Sequence, residues 1–335
     1  MQQPGPEMPS ASPTKEHDEA LGVALQPAVS GAQEATRHAL ATNEERATSP
    51  SGSYLEGART SLGSDRGAML RWSPTLLRKN LVDRAEERWR PPPLAAEAGT
   101  VSSGVARVRR FFDLQAGSIW TDVAQLLEKA DGKVVDVGCG GQPYRALLPK
   151  SVEYVGIDIA DATTNFGYTS TDTIYFAGEA WPEQTANADF VLCTEVLEHV
   201  RNPANFLERA YAALRPGGRV VCTVPFAARW HFVPYDYWRF TPSGLKHLFE
   251  AAGFQNVQVW ARGNALTVAC YKAMALFLPV LFPQTESVGR AWLCRLAGLP
   301  LTPLFVLLAL VANASFKFEG GDDCLGYSLL AERSS

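Results

Sequence analysis

The run Val134-Val135-Asp136-Val137-Gly138-Cys139-Gly140-Gly141 reads as a buried strand that ends in an acid and a glycine-rich turn. Glycine has no Cβ, so the backbone of such a turn can approach a ligand closely. Downstream, Tyr154-Val155-Gly156-Ile157-Asp158 repeats the pattern of a short apolar strand followed by a carboxylate. An acid at the end of a second strand can accept hydrogen bonds from the two hydroxyls of a ribose. Turn and second acid together describe a nucleoside-binding crevice at the carboxyl ends of parallel strands. The nucleoside is not a dinucleotide by this pattern. Gly138 and Gly140 fit Gly-x-Gly-x-x-Gly, but Pro143 stands where the third glycine belongs. Asp136 would repel a pyrophosphate, whereas it would attract the ammonium of an amino-acid moiety.

Outward from this turn, strand and helix signals alternate. A helix is predicted over Phe111 to Lys129, leading into the first strand. Thr173-Ile174-Tyr175-Phe176-Ala177 reads as a third strand and Asp189-Phe190-Val191-Leu192-Cys193-Thr194 as a fourth. Pro203 starts a helix with Leu207, Tyr211 and Leu214 on one face. Arg215-Pro216-Gly217-Gly218 ends it, and Arg219 to Val224 is a fifth strand. Thr241 caps a further helix, with Pro242 in its first turn and Leu245, Leu248, Phe249 and Ala252 as its apolar stripe. Val257 to Trp260 and Gly326 to Ala331 are the sixth and seventh strands. This order predicts an α/β fold with a doubly wound, mostly parallel seven-stranded sheet.

The chain has 335 residues, is 46% hydrophobic and carries a net charge of −4, so one domain with tails or an insertion is expected and bulk charge favours no nucleic-acid partner. None of the six cysteines forms a C-x-x-C pair, which argues against a zinc site of that type and for a reducing, cytoplasmic setting. Residues 1–65 are rich in Ala, Ser, Pro, Gly, Glu and Thr and are expected to be disordered. They show neither a secretory signal pattern nor an acid-poor transit peptide. Residues 66–110 turn basic with interleaved Trp and Leu, as a helical linker packed on the domain or drawn to anionic lipid.

With these elements in order, the chain resembles a class I S-adenosylmethionine-dependent methyltransferase. The motifs that carry the resemblance are Val135 to Gly140, Gly156-Ile157-Asp158, Asp189 to Val200, and Leu214-Arg215-Pro216-Gly217-Gly218. The resemblance implies a Rossmann-like core over residues 111–262, with S-adenosyl-L-methionine as cofactor. It implies that Asp136, Gly138, Cys139 and Gly140 cradle the methionine moiety. Asp158 would hold the ribose and Ile159 would lie against the adenine. Gly178-Glu179-Ala180 is similar to the family's Gly-Asp-Ala element, so Glu179 is expected at the adenine amino group. Thr194 and Glu195 would floor the site beneath the sulfonium.

Methyl transfer from a sulfonium is an in-line displacement that mostly needs alignment and desolvation. An oxygen acceptor also benefits from a base. If a helix begins at Glu195, then Glu198 and His199 share a face with it at the crevice mouth, and His199 is the expected base, because its ordinary pKa lies near neutrality. Glu195, Glu198 and His199, with His231, also form a competent donor set for Mg²⁺ or Mn²⁺. The loop from Pro225 to Pro242 is dense in aromatics, so Trp230, Tyr235, Asp236, Tyr237, Trp238 and Arg239 are expected to form the acceptor platform. Asp236 to Pro242 resembles methyltransferases of cell-surface polysaccharide and glycolipid synthesis.

Residues 263–323 interrupt the fold before its last strand, placed in residues 324–335. Two apolar stretches, Ala265 to Phe282 and Leu296 to Ala312, each approach the length of a bilayer span. Lys272 and two prolines weaken the spanning reading. The preferred expectation is a hairpin resting in the membrane interface, at the cytoplasmic face, or forming an apolar lid. Burial against the domain or a second subunit is the next reading. The acceptor is thus expected to be an oxygen of a glycan or lipid-linked small molecule. A quinone or polyketide acceptor is the alternative, and a non-catalytic cofactor-binding scaffold is a third.

Overall fold

The computed structural model describes residue 94 and residues 99–168, 170–177 and 180–335, without the side chains of 99–102. The N-terminal tail, most of the basic segment and Glu179 lie outside the described residues. Two helices, α1 (Gly99–Phe112) and α2 (Leu114–Leu126), precede a seven-stranded sheet. Its strands are β1 (Lys133–Val137), β2 (Glu153–Ile159), β3 (Thr173–Phe176), β4 (Ala188–Thr194), β5 (Leu214–Pro225), β6 (Phe254–Arg262) and β7 (Gly326–Arg333). The order is β3-β2-β1-β4-β5-β7-β6. β1 to β5 pair in parallel, while β7 runs antiparallel between β5 and β6. The expected sheet is therefore present. Its strand order reverses between β1 and β4, which opens a crevice at their carboxyl ends.

The core follows from the periodicities. Val135, Val137, Val191, Cys193 and Val220 point to one face and Val134, Leu192 and Val221 to the other. On the first face α4 (Pro203–Ala213) contributes Phe206, Leu207 and Ala210, and α5 (Pro242–Ala251) contributes Leu245 and Phe249. Asn202 and Thr241 cap these helices by accepting from the backbone N–H groups of Asn205 and Gly244, with proline next in line in each. A short helix, α3 (Ala162–Phe166), follows β2.

Three local expectations need correction. The single helix over Phe111 to Lys129 is two helices. Asp113 breaks the run because its side chain accepts from Ala116 N at 3.2 Å and caps the second. No α-helix begins at Glu195. That residue has φ of 52°, and only a 3-10 turn, Leu197–His199, follows before Asn202-Pro203 restarts the chain. The second arm of the insertion is longer than expected: after α6 (Ala265–Leu281), it begins at Val288 and runs as α7 (Val288–Gly298) and α8 (Thr302–Ser315), joined through the 3-10 turn Leu299–Leu301.

Asn264 starts α6 with a capping box shared with Thr267. Val268 and Met274 of α6 then pack with Phe305, Ala309 and Ala312 of α8 and Leu114 of α2. One face of the insertion is thus buried against the domain.

Candidate functional site

The carboxyl ends of β1, β2 and β4 open into a cavity of about 700 Å³, within the usual size range of small-molecule sites. Gly138, Cys139, Gly140, Asp158, Ile159, Thr194, Glu195, His199 and His231 all line it. The glycine turn is built as its sequence implies. Gly138 has φ of 68°, and a Cβ there would stand 2.5 Å from Val196 Cγ2. Only glycine accepts both the backbone and the space.

The acids behave differently from one another. Asp158 accepts from Gly140 N at 3.0 Å and from Ile159 N at 2.8 Å, so it braces the turn from the cavity wall. Asp136 is 1% exposed and does not line the cavity. Tyr154 donates to its Oδ2 at 2.7 Å, and its Oδ1 has no partner. The expectation that it meets the ligand's ammonium is corrected to a place beneath the turn.

Burial pushes the Asp136 carboxyl up to about 7, against the Tyr154 hydrogen bond and with help from Asp158. The folded chain therefore holds a proton there up to about pH 7, while the unfolded chain releases it near 3.8. This group's contribution to stability falls as pH rises through that window. Asp136→Asn is expected to gain about 3 kcal/mol more over the parent at pH 8 than at pH 5. Chemical denaturation at the two pH values measures this, and an equal effect at both would remove the raised acid.

Glu195 is held by Arg262 of β6, whose Nη2 donates to Oε1 at 2.8 Å. It lies on the cavity wall but outside the cluster that the sequence joined it to. The side-chain donors of Glu198, His199 and His231 lie within 4.8 Å of one another. Glu198 is fully buried, and neither of its oxygens has a hydrogen-bond partner. Burial, then the Glu195 charge, pushes its carboxyl well above the usual range.

His199 donates from Nδ1 to Tyr235 O at 2.9 Å, and its Nε2 lies 3.6 Å from Glu198 Oε1. Burial, then His231, lowers its pKa to about 4. His199 is therefore neutral at pH 7 and a weak base, with its second nitrogen turned to Glu198.

His231 is held differently. Its Nδ1 has two acceptors, Asp236 Oδ2 at 2.9 Å and Arg229 O at 3.1 Å. That pairing puts the neutral ring's proton on Nδ1 and leaves the lone pair on Nε2. Arg239 clamps Asp236 with bonds of 2.6 and 2.7 Å from Nη1 and Nη2. Burial opposes the charge on Asp236, but the bonds from His231 and Arg239 outweigh it and hold the carboxyl well below the usual range.

The expected acceptor platform is corrected. Trp230, Tyr235, Asp236, Tyr237, Trp238 and Arg239 do not line the cavity. They anchor the loop. Tyr237 N and Trp238 N donate to Glu198 O, and Trp238 Nε1 donates to Val200 O. Trp230 Nε1 donates to Asp236 O. The loop residues that reach the cavity are Ala228, Arg229, His231 and Phe232. Ala180 is exposed and off the wall, and Glu179 lies outside the described residues.

Sequence reasoning missed the aromatic wall. Phe166 and Tyr168, just after β2, stand with Phe232 at ring distances of 5.2 and 6.4 Å. Tyr271 of α6 adds another ring to the lining. Two aromatics in a short polar stretch, at and just after the end of α3, were the available signal for Phe166 and Tyr168. Nothing local marked Tyr271, a single aromatic beside Lys272 in a mostly apolar helix.

A family model described as a methyltransferase domain matches residues 112–259. The ubiquinone biosynthesis O-methyltransferase of Stutzerimonas stutzeri is 32% identical over 167 residues, 44% of this chain and 69% of that protein. Its namesake from Leptothrix cholodnii is 35% identical over 109 residues, covering 29% of this chain and 46% of the relative. The Burkholderia thailandensis namesake is 32% identical over 155 residues, 38% and 66% of the two chains. The chain spans between 46% and 69% of the length of these curated relatives. A solved S-adenosylmethionine-dependent methyltransferase from Archaeoglobus fulgidus aligns over 70% of this chain and 95% of its own, at 16% identity and a TM-score of 0.38.

Proposed function

We infer the chemistry of this cavity from one premise: the chain belongs to the class I S-adenosylmethionine-dependent methyltransferases. The proposed activity is methyl transfer to an oxygen of a small, flat, hydrophobic acceptor of the quinone-precursor type. S-adenosylmethionine supplies an activated methyl group for in-line displacement. The glycine turn with Gly138 and Gly140 and the edge carboxylate Asp158 fit such a cofactor, because they leave a backbone cradle beside an acid. Phe166, Tyr168 and Phe232 would hold the acceptor ring and exclude water. His231 would take the hydroxyl proton at Nε2, with Asp236 steadying the charge that forms.

The observation that carries this reading is His231, oriented by Asp236 on an aromatic wall of the cavity. The relatives' names, which refer to ubiquinone biosynthesis and O-methylation, favour the quinone-type acceptor over the glycan reading. That reading also loses its main support, since the aromatic string after Tyr235 serves to anchor the loop.

A second reading adds a divalent cation, favoured by the two unpartnered oxygens of buried Glu198. Glu198, His199 and His231 would hold it, and when bound it would lower the pKa of an acceptor hydroxyl. One carboxylate and two imidazoles suit Mn²⁺ better than Mg²⁺.

Calorimetric titration with S-adenosylmethionine and, separately, NADH, with and without Mg²⁺ or Mn²⁺, tests both readings. Binding of S-adenosylmethionine alone is expected. No binding would overturn the assignment, and no heat on titrating Mg²⁺ or Mn²⁺ into the protein with S-adenosylmethionine present would remove the second reading.

A further inference from the structure

One side of the apolar insertion is buried, and methyl transfer leaves its outer face unused. On α7, Val288 is 72% exposed, Trp292 58%, Leu293 70% and Leu296 57%. At about 100° per residue these four span an arc of about 140° on one side of the helix. Arg295 falls just outside one edge of that arc and Arg290 outside the other, each within about 60°. An apolar stripe with Trp, bordered by arginines on both sides, matches a helix lying in a lipid headgroup region.

The neighbouring helix extends the surface. Leu304, Leu307, Leu310 and Val311 of α8 are exposed, and α8 contains no charged residue. Phe305, Ala309 and Ala312 occupy its opposite, buried side. A helix side of leucines facing water without a charge is unfavourable, and contiguous patches of this kind mark interaction surfaces.

We propose that the outer face of α7 and α8 rests on an anionic lipid surface. Charge selects this occupant over a second copy of the chain. On the outer face itself, residues 288–315 hold Arg290 and Arg295 and no acid, although over residues 263–323 four basic residues are balanced by Glu286, Glu319, Asp322 and Asp323, in a chain whose net charge is −4. Anionic headgroups complement that border. A second copy docked face to face would bring the same arginines together with little acid to offset them.

The contact is interfacial, not a span. The run Val288–Ser315 is long and apolar enough to cross a bilayer. Yet Phe305, Ala309 and Ala312 are sealed against α6 and α2. Surrounding the run with lipid would tear open that core. The inference stands independently of the methyltransferase assignment. It bears on it at one point, since α6 of the same insertion supplies Tyr271 to the cavity wall.

Vesicle flotation of the full chain tests the proposal. Vesicles of phosphatidylcholine alone are compared with phosphatidylcholine mixed with phosphatidylglycerol. The parent is expected to float with the mixed vesicles, less with the neutral ones, and less as salt rises. The double variant Trp292→Glu with Leu296→Glu is expected to lose mixed-vesicle binding about tenfold or more. Both side chains are exposed, so its thermal unfolding midpoint should match the parent's. Failure of the parent to float would overturn the proposal. So would full binding by the variant, which would shift the attraction to the basic N-terminal segment. A parent dimer in sedimentation velocity that the double variant abolishes, without vesicle binding, would overturn it in favour of a second copy.

Discussion

Arg262→Ala is expected to destabilise the protein by about 3–5 kcal/mol, the range for breaking a buried ion pair from one side. Arg262 is 2% exposed and joins four separate pieces of the fold. Nη2 donates to Glu195 Oε1 at 2.8 Å and to Val224 O at 3.1 Å. Nη1 donates to Gln115 Oε1 and Ser118 Oγ, each at 3.1 Å. The guanidinium thus ties β6 to the end of β5, to α2 and to the residue after β4. Gly326 is required beside it, because a Cβ there would collide with Arg262 Nη2 and Val224 O. Alanine removes the fork and leaves the Glu195 carboxylate without its cation. Urea denaturation measures the loss. Pairing Arg262→Met with Glu195→Gln is expected to recover more than half of it, since no charge is then stranded. A cost below about 1 kcal/mol for Arg262→Ala would mean that the network does not hold the sheet to α2.

His231→Ala is expected to lower kcat by about 10²–10⁴, the usual contribution of a positioned general base, with S-adenosylmethionine affinity near normal. The prediction rests on the proposed activity and on the tautomer that Asp236 and Arg229 O impose. Asp236→Asn is expected to lower kcat as well. An amide can donate to Nδ1 and so moves the ring proton to Nε2, where it blocks the lone pair. That variant also loses its pairing with Arg239, so its unfolding midpoint must be measured beside its rate. His199→Ala should cost less in kcat, because its Nδ1 is committed to Tyr235 O and its Nε2 faces Glu198. Single-turnover assays with an accepted phenol, together with cofactor titrations, separate rate from binding. A normal rate in His231→Ala would leave alignment and desolvation as the whole of catalysis.

The parts that sequence reading recovered are short-range. The strand-and-glycine turn at Val134 to Gly141, the second acid Asp158 and the proline-started helices α4 and α5 are each set within a few residues. Alternation, turn chemistry and capping act over that distance. The seventh strand was legible too, since Gly326 to Ala331 is apolar after a polar break.

The errors lie where distant partners decide. Within one aromatic loop, His231 and Phe232 reach the cavity while Tyr237 and Trp238 bond to the backbone of Glu198 and Val200. Composition ranks all of these residues alike. Only the loop's path distinguishes them. Glu195 looked like a partner of Glu198 and His199 by helical spacing, but Arg262 of β6 claims it, and with φ of 52° no helix starts there.

The amino-acid sequence by itself determined the sheet and the crevice, because local periodicity and glycine placement dictate them, while the class of cofactor came from the resemblance that its motifs carry. Tertiary structure alone decided which histidine pairs with Asp236, which acid sits beneath the turn, and which side of the insertion stays exposed. Those outcomes depend on hydrogen bonds and burial between residues far apart in the chain, and no local pattern encodes such pairings.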